Sequence, residues 1–302
     1  MSLRLSVLNV MCRVLGKTRM RHVKRPGSQR NDFDYVGRAF GGRAKGLRER
    51  AEPGAPPFAS CEPEPGAQGT ILYFHGGGFI AGSPVSHRAL IRALVRRSGC
   101  RVVAPDYRLG PEHMLPAAQE DARAMWDRLI ANGTRPEDIV LAGDSAGGGM
   151  ALSLMAELGA EGVRPAACVA LCPWTDLTGS GASMVENARR DPLLPAERLP
   201  DLIGFATAPG TDLSDPRLSP LFARFKDPVP TLIQYAKTEI VRDDALRMAD
   251  VLRAAGGQVV VQDWAHAPHA WHVFGEALPE ARDAIEKAAQ FIKAQLSVSR
   301  GD

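Results

Sequence analysis

A serine flanked by small residues stands at the centre of the stretch GDSAG, residues 143–147. An apolar run at 138–143 leads into this stretch, and a helical pattern begins near Ala146. Small neighbours permit a sharp turn from a strand into a helix, which exposes the serine oxygen, and the N-terminus of the helix stabilises nearby negative charge. In this context the motif predicts that Ser145 is a nucleophile.

Three consecutive glycines, 76–78, follow the apolar run at 70–75. Glycines after a strand allow backbone N–H groups to approach a ligand closely. One interpretation is a dinucleotide site, because Gly-x-Gly-x-x-Ala spans 76–81 and Asp106 ends the next apolar run, where a ribose-binding acid would lie. The other is an oxyanion hole, because a His-Gly-Gly-Gly loop donates N–H groups to the tetrahedral intermediate in lipases and esterases.

The residues after the glycines favour the oxyanion hole. A dinucleotide loop opens a helix directly, whereas here Ser83 and Pro84 intervene before the next helical pattern. The dinucleotide interpretation also leaves the serine motif unexplained. We therefore expect the N–H groups of Gly77 and Gly78 to converge with that of Ala146 on a substrate carbonyl oxygen.

A serine nucleophile needs a general base and an acid that orients the base. Candidate acids lie in the stretch TEIVRDD, 238–244, and candidate bases lie in AHAPHAWH, 265–272. The acids follow the penultimate predicted strand and the histidines follow the last. This chain order of serine, acid and histidine is that of one class of serine hydrolases.

The histidines also permit a metal-site interpretation, because His266, His269 and His272 are spaced three residues apart. Pro268 disfavours a regular helix at this point, and no thiolate or carboxylate pattern completes a ligand set. The sequence therefore predicts that the chain holds no metal.

Length and composition fit one globular domain. The chain has 302 residues, of which 45% are hydrophobic and 24% charged, with a formal net charge of +3. No charge block or low-complexity linker divides it. Residues 1–50 are rich in Lys and Arg, which fits either contact with an anionic surface or, more simply, a solvated basic face. The basic stretch RMRHVK lacks interleaved aromatic residues for base stacking, so no nucleic-acid partner is predicted.

Cysteine content and the N-terminal pattern favour a cytoplasmic protein. The chain has five scattered cysteines and is large enough to fold without disulfide bonds, which indicates a reducing compartment. The start of the chain lacks the cleavage site of a signal peptide, and no stretch approaches the roughly 20 apolar residues of a membrane span. We expect instead an amphipathic helix that packs one stripe on the protein. The residues of that stripe are Leu5, Leu8, Cys12 and Leu15.

From residue 70 onward, short apolar runs alternate with helical patterns. Predicted strands lie at 70–75, 101–107, 138–144, 166–174, 231–236 and 258–264. Predicted helices lie at 86–98, 116–132, 146–158, 243–255 and 281–296. This alternation predicts a mostly parallel sheet with helices on both faces.

Two segments do not follow the alternation. The Pro-rich stretch 52–66 is expected to be irregular. The segment 176–228 is rich in Pro and Gly and offers no clear strand. An insertion of that length in a compact domain is usually functional, so we predict a lid over the carboxyl ends of the strands.

Several ordered motifs resemble those of one known family. Between about residues 70 and 275 they read HGGGF, PDYRLGPEHMLPAAQED, GDSAGG, DPRLSPL and APHAWHVF. Together they resemble the hormone-sensitive-lipase-like esterases of the α/β-hydrolase superfamily. The resemblance implies an α/β-hydrolase fold with an eight-stranded, mostly parallel sheet and helices on both faces. It also implies a single domain, 1–302, with a helical cap from about 1–45 and about 176–228, and ester hydrolysis without a cofactor.

The resemblance also implies roles for individual residues. The nucleophile would be Ser145, in agreement with the interpretation above. The base would be His269, which the spacing of the histidines alone does not single out. The oxyanion donors would be Gly77, Gly78 and Ala146.

Two positions depart from the usual family pattern. Many members have Asp-Pro after the penultimate strand where this chain has Glu239-Ile240, and the register of the family motif implies that Glu239 is the triad acid. Asp243 is the alternative acid, although capping also explains a carboxylate at the start of a helix. Gly110 stands where the family usually has Ala, a difference of one methyl group that we expect to matter little.

The sequence therefore predicts a serine carboxylesterase that hydrolyses short- to medium-chain acyl esters through a Ser-His-Glu triad. A deacetylase or amidase would use the same residues, and nothing in the triad distinguishes these activities. Two further alternatives are a non-catalytic small-molecule receptor on the same fold and a lipase recruited to surfaces by the basic N-terminus. We expect a small-molecule ester substrate, and a homodimer is one option for the oligomeric state.

Overall fold

The computed structural model describes residues 1–300 and contains one eight-stranded sheet. The strand order is β1-β2-β4-β3-β5-β6-β7-β8. Strand β2 runs antiparallel to its neighbours β1 and β4, and every other neighbouring pair is parallel. The strands are β1 Leu47–Glu52, β2 Phe58–Pro63, β3 Thr70–Phe74, β4 Arg101–Pro105, β5 Ile139–Asp144, β6 Ala167–Leu171, β7 Thr231–Ala236 and β8 Val259–Trp264. The predicted α/β-hydrolase architecture is confirmed.

The α-helices occupy three parts of the chain: the N-terminus, the crossovers between strands, and the insertion before β7. They are α1 Leu3–Met11, α2 Lys17–His22, α3 Pro26–Phe40, α4 Arg88–Ser98, α5 Ala117–Ala131, α6 Ala146–Ala160, α7 Ser183–Glu186, α8 Leu199–Ala206, α9 Arg242–Ala254 and α10 Pro279–Arg300. None of the described helices has an apolar stretch long enough to span a lipid bilayer.

The central strands are mostly apolar because helices cover both faces of the sheet. Every residue of β3, β5, β6 and β7 is buried. One face packs against α5, α6 and α9, with Met125, Leu152 and Met248 in its core. The other face packs against α4 and α10, with Leu94 and Ile292 in its core. This packing holds the carboxyl ends of β3, β5, β7 and β8 at one edge of the sheet.

The stretch 52–66, which was expected to be irregular, contains β2. This expectation was wrong because β2 is mostly half-buried, with Cys61 alone buried among its residues, and has no continuous apolar run. Its extended backbone is instead stabilised by antiparallel pairing with β1 and β4. Strand β1 is charged and mostly exposed, as an edge strand can be, and its sequence LRERAE carries no strand signal.

The N-terminal stripe is only partly buried. Leu5 and Cys12 are buried as predicted, but Leu15 is 62% exposed. The reason is a π-helical turn, Cys12–Gly16, in which the N–H of Lys17 donates to the carbonyl of Cys12. A turn of this type adds a residue to the repeat, so Leu15 rotates away from the face that carries Leu5.

Gly110 affects the packing of the insertion more than we expected from the difference of one methyl group. A Cβ added at Gly110 would lie 2.4 Å from the carbonyl oxygen of Phe205 and 2.8 Å from Cα of Ala206, both in α8. The N–H of Leu115 donates to the Ala206 carbonyl at 2.8 Å, which holds α8 at this short distance. The absence of a side chain at Gly110 therefore sets how closely the insertion packs on the sheet domain.

Replacement of Gly110 by Ala should lower the free energy of unfolding by about 1–3 kcal/mol, because the new methyl group meets backbone rather than a movable side chain. Gly204 is the matched control, because it lies in the same helix α8 and an added Cβ there meets nothing within 4 Å. Gly204→Ala should be neutral or stabilising by up to about 1 kcal/mol. Urea denaturation measures both, and equal effects of the two variants would contradict the packing argument.

Candidate active site

Ser145 lies at the sharp turn between β5 and α6. Its backbone has φ +53° and ψ −122°, a conformation rare for a residue with a side chain. Gly147 makes the turn possible, because a Cβ there would lie 2.1 Å from the carbonyl oxygen of Phe74 at the end of β3. The close packing of α6 on β3 brings the serine hydroxyl beside the glycine loop that follows β3.

The structure brings Ser145, His269 and Glu239 into one chain of hydrogen bonds. The Nε2 atom of His269 lies 2.8 Å from Ser145 Oγ, and its Nδ1 atom lies 2.7 Å from Glu239 Oε2. Glu239 is fully buried and His269 is 5% exposed. The other carboxylate oxygen of Glu239 accepts the backbone N–H of Ala236 at 2.9 Å, which orients the carboxylate toward the imidazole.

The electrostatic environment favours a proton on His269. Burial by itself lowers the pKa of His269, but the hydrogen bond and negative charge of Glu239 outweigh burial and raise the pKa above its ordinary value. The charges of Asp191 and Asp144 act in the same direction. A histidine in this position accepts a proton readily from a neighbouring hydroxyl.

The alternative acid, Asp243, does not contact His269. Its Oδ2 atom accepts the N–H of Ser183 at 2.9 Å, and its Oδ1 atom forms an ion pair with Arg242. Asp243 lies in the first turn of α9, as expected, but its side chain does not cap the helix. Asp243 instead joins α9 to the start of α7.

The three histidines of the last loop do not converge on one point. His266 is exposed, whereas His272 is fully buried and bonds Gln234 Oε1 through Nε2 at 2.9 Å. Ligand atoms of Cys172, Glu239 and His269 do lie within 4.8 Å of one another. Burial raises the pKa of the Cys172 thiol well above its ordinary value, which opposes the thiolate that a metal would require. Hydrogen bonding explains this cluster without a metal.

The glycine loop presents free backbone donors. In residues 1–300, the N–H groups of Gly77, Gly78 and Ala146 donate to no acceptor, whereas the N–H of Gly76 is bonded to Asp144 Oδ1 at 2.9 Å. The next helix begins only at Arg88, too late for a dinucleotide loop. Unpaired amides beside a serine hydroxyl are the donors that an oxyanion needs.

Asp144 joins the serine turn to the glycine loop, a role that sequence reasoning missed. Its buried carboxylate accepts the Tyr73 hydroxyl, the Gly76 N–H and a hydrogen bond from His87 at 3.3 Å. Burial alone would raise the pKa of Asp144, but the interactions with His87 and Tyr73 lower it to about 2. Asp144 is therefore an anion that fixes the first amide of the loop.

Two aromatic rings support the loop from behind. His75 and Tyr107 stack with ring centroids 4.1 Å apart, and the Tyr107 hydroxyl donates to the His75 carbonyl at 2.7 Å. Burial lowers the pKa of His75 to about 3. His75 is therefore neutral and acts through packing rather than as a base.

The insertion holds the turn that carries Glu239, which sequence reasoning also missed. The side-chain amide of Asn187 donates to the carbonyls of Lys237 and Glu239 at 3.0 and 2.9 Å. The buried carboxylate of Asp191 accepts the N–H of Ile240 at 2.9 Å. The backbone on both sides of Glu239 is thus bonded to the insertion. The signal available in the sequence was two polar residues in a Pro- and Gly-rich segment with no clear strand.

The N-terminal helices also contact the part of the insertion that carries Asp191. Lys17 is 4% exposed, and its ammonium group donates to the carbonyls of Ala188 and Asp191, each at 2.8 Å. The other carboxylate oxygen of Asp191 accepts the N–H groups of Leu193 and Leu194. These bonds fix the backbone of the insertion that faces Glu239.

A mostly apolar groove of about 1210 Å³ is lined by Ser145 and His269. Apolar side chains from the N-terminal helices and from the insertion form its walls. They include Leu8, Met11, Phe33, Leu194, Leu199 and Leu202. The groove can hold an apolar molecule with one reactive group at the serine.

Comparisons with known proteins agree with this geometry. A family model described as alpha/beta hydrolase fold matches residues 71–273. An acetyl-hydrolase from Streptomyces hygroscopicus is 40% identical over 74% of this chain and 75% of its own length. An esterase from Acinetobacter venetianus is 33% identical over 73% of each chain.

A solved structure is similar over nearly the whole chain. It is an esterase from the bacterial hormone-sensitive lipase family, with a TM-score of 0.90 and 32% identity over 98% of this chain and 99% of its own. The chain therefore belongs to the hormone-sensitive-lipase-like esterase family of the α/β-hydrolase superfamily.

Proposed function

We propose that this protein is a serine carboxylesterase in which Ser145, His269 and Glu239 act as nucleophile, base and acid. The observation that carries the proposal is the unbroken chain of hydrogen bonds from the serine hydroxyl to a buried carboxylate, beside three unpaired amides. Relatives named esterase and acetyl-hydrolase support the same reaction class.

The first half-reaction transfers the acyl group to the enzyme. Ser145 Oγ attacks the ester carbonyl carbon while His269 Nε2 takes the hydroxyl proton. The amides of Gly77, Gly78 and Ala146 bind the carbonyl oxygen as it becomes negative, and each such donor contributes about 3 kcal/mol. The tetrahedral intermediate then breaks its bond to the alcohol, which leaves with the proton from His269.

The second half-reaction returns the enzyme to its starting state. His269 takes a proton from water, and the hydroxide so formed attacks the acyl carbon of the Ser145 ester. The second tetrahedral intermediate expels Ser145, which regains its proton from His269, and the carboxylic acid is released. Glu239 keeps the imidazole in one tautomer and stabilises its protonated form in both half-reactions.

The groove supports short- to medium-chain acyl esters as substrates, because its walls are mostly apolar and Ser145 and His269 both open into it. A deacetylase or amidase acting through the same residues is the second candidate. Of these two activities, the relative named acetyl-hydrolase favours the removal of acetyl groups. A non-catalytic receptor has no need of a complete hydrogen-bonded triad.

We assign residues 1–45 and 176–228 to a cap on a single hydrolase domain, because both segments contribute walls to the groove. A reducing compartment such as the cytoplasm fits the cysteines, since all five are buried and none of them forms a disulfide within residues 1–300.

Replacement of Ser145 by Ala should abolish both ester hydrolysis and labelling by a fluorophosphonate, because the Ser145 hydroxyl is the one bonded to His269 Nε2, at 2.8 Å. Hydrolysis of p-nitrophenyl acetate and gel fluorescence measure the two effects. Ser153→Ala is the matched control. Ser153 also lies on α6, but its hydroxyl donates to the Arg217 carbonyl away from the triad, so this variant should keep full labelling. Full labelling of the Ser145 variant would contradict the assignment.

Glu239→Gln should lower kcat by about two to four orders of magnitude while the protein stays folded. Only neutral His269 accepts the serine proton, so wild-type activity should rise with pH through a pKa above the ordinary histidine value of about 6.5. Loss of the Glu239 charge should move this rise to lower pH.

Asp243→Asn is the control for this experiment, because Asp243 is a half-buried carboxylate in the same stretch of chain that bonds Ser183 and Arg242. It should cost on the order of 1 kcal/mol of stability and leave the pH profile in place. A folded but inactive Asp243 variant beside an active Glu239 variant would transfer the role of the acid to Asp243.

Asp191→Asn tests whether the insertion positions Glu239. An amide at this position must turn a donor toward one of the N–H groups that the carboxylate accepts, which displaces the turn around Ile240. We expect kcat to fall between about tenfold and a hundredfold, with KM for a short ester unchanged. The effect should vanish in a Glu239→Gln background, because Asp191 acts through Glu239.

Asp244→Asn is the matched variant for the Asp191 experiment. Asp244 is another fully buried carboxylate, and it accepts the N–H groups of Thr175 and Asp176 rather than that of Ile240. It should change the melting temperature but not kcat. If both variants lower kcat equally, or if Asp191→Asn acts equally in the Glu239→Gln background, the positioning role is wrong.

A further inference from the structure

The N-terminal segment carries a row of apolar side chains on its outer surface. Leu3, Val7, Val10 and Val14 are 81%, 52%, 62% and 59% exposed. The spacing of Leu3, Val7 and Val10 places them on one side of α1, and Val14 follows in the π-helical turn. Single exposed apolar residues are common on proteins, but a continuous row marks a surface that contacts something apolar.

The same segment is strongly basic. Residues 1–31 contain eight Lys and Arg residues and no Asp or Glu. Arg19, Arg21 and Arg30 are paired with carboxylates elsewhere in the chain, and Lys17 is buried. The remaining four are exposed and have no carboxylate partner within residues 1–300. They are Arg4, Arg13, Lys24 and Arg25.

An exposed apolar row in a segment that also carries uncompensated positive charge has the chemistry of an interfacial segment. Such segments lie in the plane of a membrane surface, with the apolar side chains among the acyl chains and the basic groups near anionic headgroups. A second copy of this chain is a poor occupant of the face. A symmetric contact would bring the same unpaired positive charges of two copies together.

The exposed row also borders the groove that contains Ser145. Leu3, Val7 and Val14 line this groove and are more than half exposed, so they form its rim. Helix α1 at a lipid surface would therefore turn the mouth of the groove toward the lipid. An apolar ester could then enter the groove without passing through water.

We propose that residues 3–25 dock the protein on anionic lipid surfaces, with the row Leu3, Val7, Val10 and Val14 inserted and the basic side chains against the headgroups. The docking itself is independent of the chemistry at Ser145. Its consequence, access of lipid-borne esters to the groove, rests on the proposed function.

Vesicle co-sedimentation of the full chain tests docking without turnover. Wild type and the Ser145→Ala variant should both bind phosphatidylcholine vesicles that contain phosphatidylglycerol and should not bind phosphatidylcholine alone. Equal binding of the two proteins keeps the result separate from the proposed esterase activity, which the labelling of Ser145 tests on its own.

Variants in the apolar row and in the basic side chains test which residues contact the vesicle. Val10→Glu should weaken binding by at least about tenfold, because a charge replaces an inserted side chain that does not line the groove. The double variant Lys24→Glu/Arg25→Glu should weaken binding by more than about tenfold. Val298→Glu is the matched control, since Val298 is 76% exposed on α10, and it should bind as the wild type does.

Three results would overturn the proposal. One is wild-type protein that binds neither kind of vesicle. Another is equal binding to both kinds, which would exclude recognition of anionic headgroups. The third is a wild-type dimer that Val10→Glu converts to a monomer, measured by light scattering, because the row would then be covered by a second copy. Hydrolysis of a soluble ester by Val10→Glu at the wild-type rate would show that any binding defect is not misfolding.

Discussion

The hydrogen bond between Glu239 and His269 is the interaction on which the rest of the site depends. A carboxylate with no exposed surface is costly unless every oxygen has a partner. Glu239 meets this requirement with the imidazole on one oxygen and the Ala236 amide on the other. The end of β7 and the loop after β8 must therefore lie side by side, and the serine turn after β5 must lie within reach of the same imidazole.

A second buried carboxylate, that of Asp144, holds the glycine loop on the other side of the serine. Asp144 follows the backbone of β5 and takes its partners from β3, the glycine loop and the start of α4. Its negative charge holds the first loop amide, so that the next two amides remain unpaired and turned toward a ligand. One buried anion thus orients the His269 imidazole and the other orients the glycine loop. Both depend on strands that are far apart in sequence and adjacent in the sheet.

The insertion between β6 and β7 has two structural functions. Its apolar side chains form a wall of the groove, and its polar side chains Asn187 and Asp191 hold the backbone next to Glu239. Lys17 extends this network to the N-terminal helices. The insertion, which shapes the groove together with the N-terminal helices, is therefore also bonded to the segment that carries Glu239. Gly110 lets α8 pack closely on the sheet domain, so a shift of the insertion would also displace the residues that it packs against.

Local sequence determined the strands that are apolar on both faces, the helices between them, and the sharp turn at Ser145, because each depends on neighbouring residues. It did not reveal β1 and β2, whose extended backbone depends on pairing with β4, nor the π-helical turn that rotates Leu15 into solvent. Among the site residues, Glu239 and Asp243 were both reasonable acids, since a carboxylate near a strand end satisfies the pattern. Only the tertiary structure decided which of them contacts His269, and only it showed the bonds of Asp144, Asn187 and Asp191. The physical reason is that these contacts join segments separated by tens of residues, so their partners are set by strand order and helix packing rather than by sequence spacing.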